Sequence, residues 1–512
     1  MAALVCAGKV TSAKSMRLAR EAPDEVNPRV NVVIEFYEDA ALVASALTGL
    51  FWRAIPSQES RSYRSRSSSR QKKPAIQRLP PAPTASFFVA HGPPGSLPSA
   101  RRRHRNLRVK PFKRAQRALV DQSQKQPQLG KARHMTLPSI ANPDLAIVFD
   151  NKPRWNLPDY RRRGFHNLHT TVRYAMSLRA PRVQPLRKDV DWTIGERPGV
   201  ARYLAMPHFS AFVVVRGERI LYEAYAPDFG PERPHSIQSI TKTTLNLMLG
   251  RAVADGLVNL DDQIRKYLPE IGTGYAEATV KAVADMNVAN DFIEDYSDPY
   301  APIYDWEPAF GWRLPLDGQK EGTTRSFICG ITGGDLANRT GEALYKSTNT
   351  DVLGWIVERV SGRPLRDWLI EIVEAAGLEG CFHISCDREG VPLVCGGTCL
   401  TARDLARYGL LFARKGEGVD GRRVGDAAFI EETRRNPGPV YPKPRDWMRY
   451  SRQTFTDGTW LGHGGYGGQF MLANPDTGTV VVYFSVLENS SAMDPNFSGP
   501  LVKMMAELAA ET

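Results

Sequence analysis

A serine hydroxyl is a poor nucleophile until a neighbouring base takes its proton, and on one face of a helix residues i and i+3 lie about 5 to 6 Å apart. Ser239 and Lys242, in the run Ser239-Ile240-Thr241-Lys242, have that spacing. A lysine titrates near 10.4 in water, so this one can serve as a base only where burial or nearby positive charge lowers its pKa. The bare pattern is weak, because Ser69 and Lys72 repeat it inside a Ser/Arg-rich tract. Context separates the two. Ser239 follows a β-hairpin signal and opens an amphipathic helix, whose first N–H groups and positive dipole end could also help hold an oxyanion. The chemistry implied is acyl transfer through a covalent serine intermediate.

The elements that must position this pair are readable on both sides of it. Ser210 to Tyr225 is two β-rich runs around Gly217, a hairpin signal. Leu245, Met248, Leu249, Ala252 and Val253 then recur at helical spacing and stop at Gly256, which predicts a helix from near Ser239. Val352, Leu353, Ile356 and Val360 end at Gly362, and a helix opened by Pro364 runs through Trp368 and Ile372 to Gly377. Another begins at Thr401, with Asp404 in the capping-box position. Gly468 to Asn474 and Thr479 to Ser485 read as strands around a turn, and Phe497 to Glu511 reads as a helix. The order hairpin, helices, hairpin, helix predicts an α/β fold of the α+β type. An antiparallel sheet built from both ends of the domain is flanked by helices, with a mostly helical subdomain between.

The net charge of +12 over 512 residues invites a nucleic-acid reading, but its distribution argues against one for the folded part. Residues 1–134 hold 25 Lys+Arg against 8 Asp+Glu, a charge of +17, whereas the remaining 378 hold 42 against 47, a charge of −5. The expected organisation is a basic, disordered extension over 1–134, a lead-in segment over 135–200, and a hydrolase domain over 201–512. The extension is open to three readings: a targeting arm, a nucleic-acid tail, or an upstream extension with translation starting at Met135. The longest apolar run, Ala40 to Trp52, is too short to span a bilayer, and Glu38 and Asp39 precede it where a signal peptide carries positive charge. No membrane association is expected, and the location expected is cytoplasmic. Six cysteines without CxxC, and nine histidines without paired spacing, give no metal set, and acyl transfer by Ser239 needs no metal or organic cofactor.

Beyond Ser239 and Lys242 the chain resembles the serine β-lactamases of class C, the penicillin-binding-protein-like esterases and, in wording, the 6-aminohexanoate-dimer hydrolases, over about Phe209 to Glu511. In that family the Ser-x-x-Lys is paired with a Tyr-x-Asn or Tyr-x-Ser, matched here by Tyr345-Lys346-Ser347. A stretch like Asp291 to Pro299 and a glycine pair like Gly396-Gly397 are also shared. The resemblance implies a β-lactamase/transpeptidase-like fold. It also implies that Tyr345 relays a proton to the leaving group and that Ser347 borders the substrate, although a lone buried tyrosine is more often just a satisfied core residue. Where the family carries Lys-Thr-Gly, this chain reads Gly462-His463-Gly464-Gly465-Tyr466. The resemblance places His463 and Gly465 beside the substrate, and the N–H of Tyr466 with that of Ser239 in the oxyanion hole. His383 falls near where these hydrolases carry a substrate-side tyrosine, though a satisfied structural histidine is the better reading. Trp306 and Trp312 stand in the segment that lines the cleft in this family, or in the core. The function implied is a serine hydrolase acting on a small-molecule amide or ester. A β-lactamase, a D-amino-acid peptidase and a catalytically silent binding protein are the alternatives, and oligomeric state is left open.

Overall fold

The computed structural model describes residues 154–511 apart from 299, 316, 317 and 319. The expectations for 1–134, and for the first part of the lead-in, lie outside the described residues. The main sheet has eight strands in the order β2-β4-β3-β12-β11-β10-β9-β8. Their ranges are β2 Arg187–Lys188, β3 Phe209–Arg216, β4 Arg219–Tyr225, β8 Arg449–Ser451, β9 Thr454–Thr456, β10 Leu461–Gly465, β11 Gln469–Asn474 and β12 Thr479–Ser485. All neighbours are antiparallel except β2 on β4. The hairpin β3–β4 and the hairpin β11–β12 meet along the β3–β12 ladder, where Val213 pairs with Val482. Strands from the two ends of the domain thus share one sheet.

Alternation along β12 explains how this sheet is covered on both faces. Val480 meets Gly409 of helix α5 (Ala402–Ala413), so closely that a Cβ there would lie 2.5 Å from the valine. Tyr483, of opposite parity, meets Phe497 of α6 (Pro495–Ala510). Between the hairpins come α2 (Thr243–Ala254), α3 (Ser347–Ser361) and α4 (Leu365–Ala376). The last two end at Gly362 and Gly377, both left-handed at φ 64° and 62°, where a side chain would be strained. The α/β architecture matches the expected β-lactamase/transpeptidase-like arrangement.

Three details depart from the sequence reading. The helix predicted from Ser239 begins as a 3₁₀ turn over Gln238–Lys242 and becomes α-helical only at Thr243. Thr401 caps α5 as expected, accepting from Asp404 N, but the Asp404 carboxylate does not complete a capping box. It accepts from Glu379 N, Gly380 N, Arg407 and the Thr401 hydroxyl instead. The third departure is a second, four-stranded sheet, ordered β1 (Ala175–Leu178), β6 (Phe382–Ser385), β7 (Thr398–Leu400), β5 (His235–Ser236). The lead-in contributes β1 and β2, and also α1 (Pro158–His166), whose Phe165 is fully buried.

Candidate active site

Strand β7 anchors the chain that carries Ser239. Ser236 pairs with Cys399, Ile237 N donates to Thr398 O at 3.0 Å, and Gln469 Nε2 of β11 donates to Ser236 O at 2.9 Å. Gln238 then takes φ 49°, a left-handed conformation that costs a non-glycine residue about 1–3 kcal/mol, and it immediately precedes the serine. In the 3₁₀ turn that follows, side chains at i and i+3 eclipse one another, so Ser239 and Lys242 are stacked more directly than an α-helix would place them. Lys242 Nζ lies 3.0 Å from Ser239 Oγ.

Lys242 is completely buried, and its other two donors reach Ser347 Oγ at 2.8 Å and Cys395 O at 2.6 Å. Burial lowers its pKa from the usual lysine value, with Cys395, Glu294 and Asp351 pulling the other way. An amine whose charge is penalised and whose hydrogen bonds are fixed can hold or accept a proton at Ser239. Tyr345 and Ser347 both stand at the start of α3, as the Tyr-x-Ser spacing predicts. The Lys242 ammonium sits 5.0 Å from the centre of the Tyr345 ring, and the Ser239 side chain acts on the Tyr345 phenol, favouring its ionised form. Burial, with Tyr450 and Glu294 behind it, pushes the phenol well above its ordinary range, so it rests protonated.

Ser239 opens on a cleft walled by Trp155, Tyr296, Trp306, Phe310, Trp312 and Tyr466. Trp306 and Trp312 therefore both line the cleft and are buried in its wall. Trp155 comes from the lead-in: its indole donates to Trp312 O at 3.0 Å and meets the Trp312 ring edge-on at 5.2 Å. The end of β10 packs against the segment that carries Ser239. A Cβ on Gly465 would stand 2.5 Å from Ile237 O, so only glycine lets this strand press against the segment that bears Ser239. Tyr466 follows at once, and the guanidinium of Arg161 lies 5.6 Å from its ring centre.

His463 is buried on β10. Its Nδ1 lies 2.6 Å from Gly464 O, its ring stacks on Phe455 at 4.1 Å, and burial holds its pKa well below the usual imidazole value. It is therefore neutral at pH 7. His383 sits on the small sheet, with Nδ1 2.8 Å from Ser177 Oγ and its ring on His169, and is not among the residues that line the cleft. Two groups escaped the sequence reading. Glu294 accepts from Ser347 Oγ at 2.8 Å, from Ser347 N and from the Tyr296 hydroxyl. Asp351, one turn after Ser347, is buried beside Cys395, with its carboxyl pushed up to about 7 by desolvation. Among the described residues no cluster of His, Cys, Asp and Glu could hold a metal ion, and no helix is long and apolar enough to cross a membrane.

The chain is similar to known proteins in sequence and in fold. The model of the family described as Beta-lactamase matches residues 189–496. The chain is 32% identical over 290 residues to the 6-aminohexanoate-dimer hydrolase of Paenarthrobacter ureafaciens, which spans 54% of this chain and 72% of that protein. In three dimensions it resembles a Bacillus anthracis protein provisionally described as a 6-aminohexanoate-dimer hydrolase. The TM-score is 0.60 at 18% identity, over 70% of this chain and 96% of the other, a likeness of fold.

Proposed function

This chain belongs to the beta-lactamase family, and from that premise we propose that Ser239, Lys242 and Tyr345 are the catalytic residues of a serine hydrolase that cleaves small linear amides and esters. The observation that carries the assignment is the buried Lys242 amine, 3.0 Å from Ser239 Oγ and 2.8 Å from Ser347 Oγ. Lys242 in its neutral form takes the Ser239 proton as Oγ attacks the carbonyl. The N–H groups of Ser239 and Tyr466 receive the oxyanion, Tyr345 gives its proton to the departing amine or alcohol and takes one back from Lys242, and water then releases the acyl-enzyme, one of its protons returning to Ser239 Oγ. Gly465 sets the spacing of the oxyanion hole, and Ser347 orients Lys242.

A linear substrate is supported by the lining of the cleft, which among the described residues holds no lysine or arginine. A β-lactam carries a carboxylate that rewards a cation, yet His463 stands neutral where the family has lysine. The nearby Arg313 is committed to an ion pair with Glu307 and lies over the Tyr304 ring. Loss of one charge-assisted hydrogen bond is worth about 1.5 to 3 kcal/mol, a factor of roughly 10 to 150 in rate. Aromatic walls suit a short alkyl chain, and the Paenarthrobacter relative is named for a linear amide. The expected result is a higher kcat/KM for p-nitrophenyl butyrate than for nitrocefin on one preparation. A clear win for nitrocefin would transfer the assignment to β-lactam hydrolysis.

A further inference from the structure

We propose that Glu294 is the proton sink of this site, drawing the ammonium proton of Lys242 through the Ser347 hydroxyl and so supplying the neutral amine that the attack by Ser239 requires. The inference rests on the assignment of Ser239 and Lys242 made above. Lys242 Nζ donates to Ser347 Oγ at 2.8 Å, and the same hydroxyl donates to Glu294 Oε1 at 2.8 Å. A hydroxyl that accepts from one group and donates to the next can pass a proton without moving. The carboxylate is held in place: Ser347 N donates to Oε2, and the Tyr296 hydroxyl donates to Oε1.

The transfer balances. Ser347 gives its proton to Glu294 Oε1 and takes one from Lys242 Nζ, so one N–H bond breaks, one O–H bond forms on the carboxyl, and the serine hydroxyl is restored. Ammonium and carboxylate become amine and acid, with no change in total charge. Complete burial of Lys242 favours the loss of its proton, because it penalises the ammonium and not the amine. The amine then takes the Ser239 proton, and the reverse transfers accompany release of the product.

The groups facing Glu294 decide what a pH profile can show. Tyr275, Tyr296, Tyr345, Tyr441 and Tyr450 are held above the ordinary phenol range by burial, and the Cys395 thiol is pushed up likewise, so none of them titrates near neutrality. Three groups remain. Lys242 is one, and Asp351, which faces Lys242, is the second. Lys346 is the third: its Nζ donates to Asn290 O and Phe292 O, and burial lowers it to about 8.

The test measures kcat/KM for p-nitrophenyl butyrate from about pH 5 to about pH 10 in the full chain and in Glu294→Gln, Ser347→Ala, Lys346→Met and Ser239→Ala. In the unaltered protein the acid limb marks where Lys242 can no longer pass its proton along this path. With glutamine, Lys242 must lose its proton to solvent. The acid limb should then move up by about one pH unit or more, with a roughly tenfold or greater loss at neutral pH that recovers in alkali. Ser347→Ala should move it the same way, and it serves as the second variant should Glu294→Gln misfold; Lys346→Met should leave the limb in place. An even loss at every pH in Glu294→Gln and Ser347→Ala would overturn the relay and leave Glu294 only holding Ser347. A matching shift in Lys346→Met would overturn it too. Turnover retained in Ser239→Ala would defeat the site assignment itself, whereas a dead Ser239→Ala with an unmoved limb defeats only the relay.

Discussion

At the scale of the residue, Lys242 has a demand that sequence can state but not meet. An ordinary lysine is a cation at neutral pH, and only an environment that penalises its charge makes it a base. The structure supplies complete burial, with Ser239 Oγ, Ser347 Oγ and Cys395 O as the three acceptors. Lys242→Ala should therefore lower kcat/KM by several orders of magnitude while the protein still folds, because members of one catalytic unit fail together. Steady-state kinetics beside a thermal melt checks this, and near-normal turnover would take Lys242 out of the chemistry. The Ser-x-x-Lys spacing was legible because it lies within one helical turn, and Tyr345 and Ser347 were legible only through the resemblance to the family's Tyr-x-Ser element ahead of a helix. Glu294 was not. It is one of several acids between Asp291 and Asp298, and what singles it out is Ser347, 53 residues further on, which no periodicity reports. His383 shows the converse: a histidine placed by loose likeness, which the structure sets on the small sheet beside Ser177.

At the scale of the element, two arrangements do most of the positioning: the 3₁₀ turn that stacks Ser239 over Lys242, and the clamp that α1 forms on the cleft. Arg161 of α1 is buried, and it donates to Leu487 O at 2.7 Å, to Asn156 O at 2.9 Å and to Asn489 O at 2.6 Å, beside the Tyr466 ring. Truncating it strands three carbonyls and loosens the helix that follows Trp155. Arg161→Ala should cost about 1–3 kcal/mol of stability and raise KM more than it lowers kcat, since the substrate wall moves and the Ser239–Lys242 pair does not. A melt and a kinetic curve that both match the unaltered protein would contradict the clamp. The long helices and both hairpins were readable because each repeats its apolar period several times. The small sheet was not, for its strands are two to four residues long and too short for an alternation to show. The 3₁₀ turn was also hidden, because it depends on the φ of Gln238 and not on any residue preference.

At the scale of the whole molecule, the sheet is what unites chemistry scattered along the chain. Ser239 follows the first hairpin, Tyr345 precedes and Ser347 opens a helix in the middle, and Gly465 and Tyr466 lie at and just past the end of the strand before the last hairpin. The β3–β12 ladder closes this order into one site, with Gly465 against Ile237. Membership of the beta-lactamase family follows from the match over residues 189–496, and the lead-in adds Trp155 and Arg161 ahead of that match. The central claim is that Ser239 is the acylated nucleophile. Incubating the intact protein with a fluorophosphonate probe, digesting it and locating the adduct by mass spectrometry tests this directly. One adduct on Ser239, absent from Ser239→Ala and slow to form in Lys242→Ala, is the predicted result; stoichiometric labelling of another residue, with activity lost in step, would contradict it.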